Sequence, residues 1–156
     1  MELLAKLAQA YGASGNESVV RDIIISEIKK YCDDYEVDAM GNLIAHKKGN
    51  GVKVMFAAHM DEIGIIVTHI DKNGYLRFSK VGGLYIRDLV HRRVRFSNGV
   101  VGVIGSEEDE FNKKPDIRRL YIDIGADTRD EASKSVSIGD TAVFCGETVV
   151  SGNRII

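Results

Sequence analysis

The pattern of apolar residues divides the chain into two stretches of different character. In the first stretch, apolar residues recur every three or four positions and predict a short amphipathic helix over residues 2–11. The same spacing from Val19 to Tyr31 predicts a second, longer helix. Between the helices, Ser14 and Glu17 have capping-box spacing and Asn16 is an alternative N-cap. We interpret these three polar residues as helix caps.

The segment from Val52 to Ala58 is the predicted centre of the fold. It is a nearly continuous apolar run that ends in His59-Met60-Asp61-Glu62. Such runs are typical of strands buried on both faces in a parallel sheet covered by helices. Two shorter strands, residues 35–38 and 43–47, precede it. Because ligands bind just beyond the carboxyl ends of such strands, we expect the chemistry at His59 and Asp61.

The second stretch contains short strands separated by turn signals at regular spacing. This pattern predicts a small β-barrel or sandwich. The expected strands are residues 65–70, 75–81, 93–96, 100–104, 120–124 and 141–144. A helical turn is expected in residues 84–90, and the capping box Thr128-Arg129-Asp130-Glu131 opens a short helix to about Val136. Final strands are expected at residues 147–150 and 154–156.

Two domains follow from these patterns. Residues 1–68 are expected to begin an α/β domain, residues 69–150 to form the β domain, and residues 151–156 to return towards the first domain. The α/β part is thin for a strand that needs cover on both faces, and the sequence ends on the apolar pair Ile155-Ile156. We therefore expect the α/β layer to resume beyond residue 156, with the β domain as an insertion.

Composition and charge exclude several classes of function. The 156 residues are 44% hydrophobic and 28% charged, as in ordinary globular proteins. The net charge of −2 implies no general attraction to nucleic acid or to a membrane surface. The N-terminus has no signal-peptide pattern, and Cys32 and Cys145 form no CxxC motif. We expect a cytoplasmic protein with reduced thiols, in which the acidic loop of residues 106–115 is solvated surface.

His59 and Asp61 have the chemistry of half a metal site. Residues i and i+2 of a strand point to the same side, so both side chains address one place. A neutral imidazole is a good ligand for zinc or cobalt, and a neighbouring carboxylate fixes its tautomer. One histidine cannot hold a metal alone, so the short motif indicates a metal hydrolase without establishing one.

Several segments together resemble a known family. Ala57 to Gly64 resembles the signature of the cytosolic metallo-aminopeptidases that assemble into tetrahedral dodecamers. That family includes glutamyl and deblocking aminopeptidases, and some members have been described as endoglucanases. Further matching segments, in the order of the family, are residues 12–17, 38–43, 102–105, 122–132 and 136–140.

The resemblance implies a fold, a site and partners. His59 matches the first metal ligand, and Asp61 matches the catalytic aspartate that orients it. The implied fold is the N-terminal part of an α/β metallopeptidase domain, interrupted by a PDZ-like β-barrel used for dimerisation. Two divalent metal ions, zinc or cobalt, peptide substrates and a homo-oligomer between dimer and dodecamer are implied as well.

The departures from the family matter for this chain. The family's bridging aspartate, paired glutamates, further aspartate ligand and final histidine have no counterpart in the 156 residues. His46, His69 and His91 match no family ligand, and Glu62 receives no metal role. We therefore expect weak or no metal binding and no peptidase activity from this chain alone. Two alternatives remain: a non-catalytic oligomerisation or interaction module, and a related co-catalytic hydrolase of other amides.

Overall fold

The computed structural model describes residues 2–107 and 116–156, which divide into two compact units. The first unit comprises Met1–Asp61 and Thr148–Ile156, and the second comprises Glu62–Glu147. Residues 108–115 of the expected acidic loop lie outside the described residues.

The first unit contains the elements at both ends of the chain, and the second unit contains those between them. The helices are α1 (Glu2–Gln9), α2 (Ser18–Ile28) and α3 (Arg129–Ala132), with 3-10 turns at Ile86–Asp88 and Ile117–Arg119. The strands are β1 (Asp34–Val37), β2 (Leu43–His46), β3 (Gly64–Ile70), β4 (Leu76–Val81), β5 (Arg93–Phe96), β6 (Val101–Ser106), β7 (Leu120–Asp123), β8 (Thr141–Phe144), β9 (Val150–Ser151) and β10 (Arg154–Ile155). None of the described helices is long and apolar enough to span a bilayer.

Six strands of the second unit close into a barrel, so the predicted β-barrel is confirmed. Their order is β3-β4-β7-β6-β5-β8, and each pair of neighbouring strands is antiparallel. Because apolar and polar residues alternate along each strand, the apolar side chains share one face, which points into the barrel. The fully buried core includes Ile65, Leu76, Val94, Ile104, Ile122 and Ala142.

Turn chemistry closes the barrel's first hairpin and opens α3 as the sequence predicts. Asp71 Oδ1 accepts hydrogen bonds from Asn73 N at 2.9 Å and Tyr75 N at 3.1 Å, and Gly74 has φ of 84°. Thr128 Oγ1 accepts from Glu131 N at 3.2 Å, which confirms the predicted cap. The helix that it opens is shorter than expected, since α3 ends at Ala132.

A tight hairpin joins β1 and β2 in the first unit. Asp38 organises its turn by accepting hydrogen bonds from the backbone N of Met40 at 2.9 Å and of Asn42 at 2.8 Å. The Asn42 side chain donates to the same carboxylate at 2.8 Å. Gly41 has φ of 87°, a conformation that residues with a Cβ rarely adopt. The turn Asp38–Asn42 is therefore stabilised by hydrogen bonds among its own residues.

The prediction of a buried strand over residues 52–58 is wrong. The structure assigns no strand there, and the side chains of Val52, Val54, Met55 and Phe56 are between 71% and 95% exposed. A strand is held by ladder hydrogen bonds to neighbouring strands as well as by its apolar side chains. Within the described part of the chain, β2 pairs with β1 and no strand pairs with this segment. The apolar residues of this segment indicate that its side chains need to be buried, but they do not show whether neighbouring strands are present to pair with it.

Candidate active site

The imidazole of His59 lies against Asp61. His59 Nδ1 is 3.0 Å from Asp61 Oδ1 and 3.0 Å from the Asp61 carbonyl oxygen. With the proton on Nδ1, the ring donates to these oxygens and keeps a lone pair on Nε2. The His59 side chain is 84% exposed, so that nitrogen is accessible. The structure thus brings the two predicted residues together, although the segment that carries them is not a strand.

Ser14 is a member of this site that the sequence analysis misassigned. Its hydroxyl donates a hydrogen bond to Asp61 Oδ2, so it does not cap α2. The residue at the N-cap of α2 is Glu17, which makes no side-chain cap bond; its carboxylate instead accepts from Gly15 N at 2.5 Å. The capping interpretation of Ser14, Asn16 and Glu17 is therefore wrong. The two oxygens of Asp61 have different tasks, one facing Ser14 and the other His59.

Close packing holds the N-terminal loop next to the site. A Cβ on Gly12 would lie 2.6 Å from Val20 Cγ2 and 3.3 Å from the Met60 carbonyl oxygen. Tyr11, Ala13 and Val20 are all buried. The small residues at positions 12 and 13 let the loop backbone approach the segment that carries His59 and Asp61. A run of small residues beside a serine was the signal in the sequence that could have indicated this contact.

Hydrogen bonding keeps Asp61 ionised. The bond from Ser14, followed by the bond from His59, lowers the pKa of the Asp61 carboxyl below its usual value. A carboxylate with negative charge orients the imidazole and raises the basicity of Nε2. Because this pKa is lowered by folding, the stabilisation is present above the unfolded-state value and is lost as pH falls through the folded-state pKa.

The imidazole of His59 is a donor of a kind that can bind a metal ion. Across residues 2–107 and 116–156, no three side chains of His, Cys, Asp or Glu converge on a point where an ion would bind. Catalytic zinc sites use three protein ligands, so the imidazole and its carboxylate fit one corner of such a site. His46 is engaged elsewhere, with its Nδ1 2.6 Å from Asp34 Oδ1 on the β1–β2 hairpin.

A family model and several named relatives match this chain. The model of the M42 glutamyl aminopeptidase family matches residues 41–156. A provisionally named aminopeptidase of Acetivibrio thermocellus is 52% identical over 156 residues, which cover 99% of this chain and 47% of that protein. The chain spans about half the length of the relatives that it matches.

Solved structures show the same fold. The crystal structure of a TET aminopeptidase from the marine sediment archaeon Thaumarchaeota archaeon SCGC AB-539-E09 superimposes with a TM-score of 0.90 at 37% identity, covering 98% of this chain and 46% of that one. The TET1 peptidase of Pyrococcus horikoshii, which can assemble into a tetrahedron or a large octahedral shell, gives a TM-score of 0.83 at 41% identity, with coverages of 97% and 48%. The resemblance found in the sequence is therefore confirmed, and the chain belongs to the M42 glutamyl aminopeptidase family.

Proposed function

We propose that this chain supplies one metal ligand, His59, and its orienting carboxylate, Asp61, to a metal-dependent aminopeptidase that removes N-terminal residues from peptides. The observation that carries the proposal is the contact of His59 Nδ1 with Asp61, which leaves Nε2 accessible to a metal ion. Membership of the M42 family supplies the reaction class.

Each residue of the site has a separate task in this proposal. Ser14 fixes the rotation of the Asp61 carboxylate, and Asp61 holds the His59 ring with its Nε2 lone pair outward. Divalent ions such as zinc or cobalt polarise a scissile carbonyl and lower the pKa of bound water in enzymes of this type. The remaining ligands are proposed to come from a part of the protein beyond these 156 residues.

The barrel unit is proposed to mediate assembly of copies, from a dimer up to a dodecamer. The TET relatives form closed shells, and the barrel here is complete within the chain. We further propose that the whole protein resides in the cytoplasm, as implied by the resemblance of this chain to the cytosolic metallo-aminopeptidases.

The test uses the product of the complete reading frame, continued past the codon for Ile156. With zinc or cobalt it is expected to release nitroaniline from aminoacyl-nitroanilides, and a chelator should abolish turnover. The variant His59→Ala should lose at least about 100-fold in kcat/KM. His46→Ala is the matched control, because it removes another exposed histidine that contacts a carboxylate, and it should retain activity.

Equal loss in both variants, or full activity of His59→Ala, would contradict the proposal. Turnover of N-acyl amides in place of free-amino peptides would favour the related amidohydrolase.

A non-catalytic assembly module is the second candidate. It is favoured by one observation: the barrel is complete, whereas the described residues hold no full set of metal ligands. An intact mass of the natural product close to 17.2 kDa would support this candidate. A mass about twice as large would support the aminopeptidase.

A further inference from the structure

A cleft in the barrel unit lies between the end of β3 and the segment that follows α3. Its volume is about 260 Å³, and its lining includes His69, Arg129, Ser133 and Ser137. The buried side chains of Ile70 and Val136 also line it. Pockets for drug-sized molecules measure roughly 300–1,000 Å³, so this cleft suits a smaller ligand.

Arg129 has an unusual partner in this cleft. Its Nη2 lies 3.2 Å from His69 Nε2. Because arginine stays protonated, the guanidinium donates this hydrogen bond and the imidazole accepts it. His69 is therefore neutral in this arrangement, with its proton on Nδ1.

No carboxylate neutralises Arg129 among the residues that the structure describes. Other arginines of the unit do have such partners: Arg77 lies 3.2 Å from Asp71, and Arg118 lies 2.6 Å from Asp116. The guanidinium of Arg129 thus presents a positive charge and unused N–H donors at a cleft that Ser133 and Ser137 also line.

We propose that this cleft binds a small oxyanion, either a phosphate or a carboxylate. Arg129 would provide the charge and a planar pair of donors, and Ser133 and Ser137 would provide hydroxyl donors. This function is independent of His59 and Asp61.

The carboxylates near the cleft are already engaged with backbone donors. Asp140 Oδ2 accepts from Ser137 N at 2.8 Å, and Glu131 Oε2 accepts from Asp127 N at 3.1 Å. Asp130 is exposed on α3. These carboxylates keep their charge, but none of them forms an ion pair with Arg129 in the described part of the chain.

The test titrates the 156-residue chain with inorganic phosphate at constant ionic strength. NMR of the histidine side chains should show His69 resonances shifting with saturation while those of His46 stay unchanged. Arg129→Gln should weaken phosphate binding by about tenfold or more, because a charge-assisted hydrogen bond is lost. Arg87→Gln removes the same charge from an exposed position in the unit and should bind as the unchanged chain does.

The ligand source is distinguished by parallel titrations with acetate and with an acetylated dipeptide. Saturation by phosphate alone assigns a tetrahedral oxyanion, and saturation by the carboxylates assigns a peptide or acid ligand. Equal binding by the Arg129→Gln and Arg87→Gln variants, or shifts of His69 and His46 alike, overturns the proposal. If Arg129→Gln fails to fold, Arg129→Lys replaces it and should bind more weakly than the unchanged chain, since it lacks the planar fork; unchanged binding again overturns the site.

Discussion

The carboxylate of Asp61 is held at both oxygens, by the Ser14 hydroxyl on one side and the His59 ring on the other. This arrangement removes the rotational freedom that a lone carboxylate would have on an exposed segment. It also separates orientation from ligation, because Asp61 orients the ring while Nε2 of His59 stays available. In the proposed metal site, Ser14 would act through Asp61, which would make it a positioning residue.

Replacing Ser14 with Ala should raise the pKa of Asp61 towards its usual value. The hydrogen bond from Ser14 is the largest cause of the lowered pKa, and the His59 bond remains. The stabilisation that Asp61 provides should accordingly be smaller in the variant, and its loss on acidification should be complete at a higher pH, because the folded-state pKa is higher. Carboxyl carbon NMR of Asp61 across the acid range measures the pKa, and urea denaturation at several acid pH values measures the stabilisation.

The control for this titration is Ser26→Ala. Ser26 Oγ donates to the Ile23 carbonyl oxygen at 2.6 Å, within α2. Its loss should leave the Asp61 titration unchanged. A Ser14→Ala chain that titrates like the unchanged one would show that the hydroxyl does not stabilise the ionised carboxylate.

The roles of these residues differ in how far the sequence reveals them. The contact between His59 and Asp61 follows from their spacing of two. The Ser14 contact joins residues 47 positions apart, and a serine just before a helix equally fits a cap. Local pattern cannot separate those two uses, because only the folded loop decides where the hydroxyl points.

At the scale of elements, the loop before α2 leaves no room for added volume at Gly12. Gly12→Ala places a methyl 2.6 Å from Val20 Cγ2, and we expect it to cost about 1–3 kcal/mol of stability in the first unit. Amide hydrogen exchange in α2 measures the loss. Gly49→Ala is the control, since nothing lies within 4 Å of the added atom and its φ is not positive.

A double variant tests the cause of the Gly12→Ala effect. Val20→Ala removes the clashing methyl, so the combined change should cost less than the sum of the two single changes. Strict additivity would mean that the predicted clash is not the source of the loss.

The barrel core should respond to truncation far more than its surface does. Ile122 is fully buried and lies opposite Leu76 on β4 and Ile104 on β6. Ile122→Ala should cost about 2–5 kcal/mol of unfolding free energy, through lost burial and a cavity. Val103→Ala, at a half-exposed site on β6, should change it by less than about 0.5 kcal/mol. Urea denaturation followed by far-UV circular dichroism compares them, and similar losses would contradict the barrel packing.

The six barrel strands were predictable because their patterning and their partners lie within one stretch of chain. The segment at residues 52–58 was not, because its apolar pattern says nothing about whether a neighbouring strand is present to complete the ladder. Hydrophobic periodicity thus predicted side-chain burial where the partners are local. It failed for residues 52–58, because the hydrophobic pattern of one segment does not show whether a neighbouring strand is present to pair with it.

At the scale of the whole molecule, residues 52–56 form an exposed and mainly apolar segment. Val52, Val54, Met55 and Phe56 form a run of apolar side chains of a kind that monomers rarely expose as a contiguous patch. We expect the 156-residue chain to bind a hydrophobic dye such as anilinonaphthalene sulfonate. Changing Met55 and Phe56 together to Ser should lower the dye fluorescence severalfold.

The matched control is Tyr85→Ser, which removes a strongly exposed aromatic from the barrel unit. It should leave most of the dye signal in place. A chain that does not bind dye, or one whose signal depends on Tyr85 instead, would contradict the assignment of the patch.

The pairing of β3 with β8 determines where the two ends of the barrel unit lie. Gly64 lies opposite Val143, so the strand that enters the barrel unit and the strand that leaves it are antiparallel neighbours. Both ends of the unit, Glu62 and Glu147, therefore emerge at the same edge of the barrel. A unit with adjoining ends can be spliced into a surface loop of another fold, or excised and replaced by a short linker, without pulling the host's chain apart.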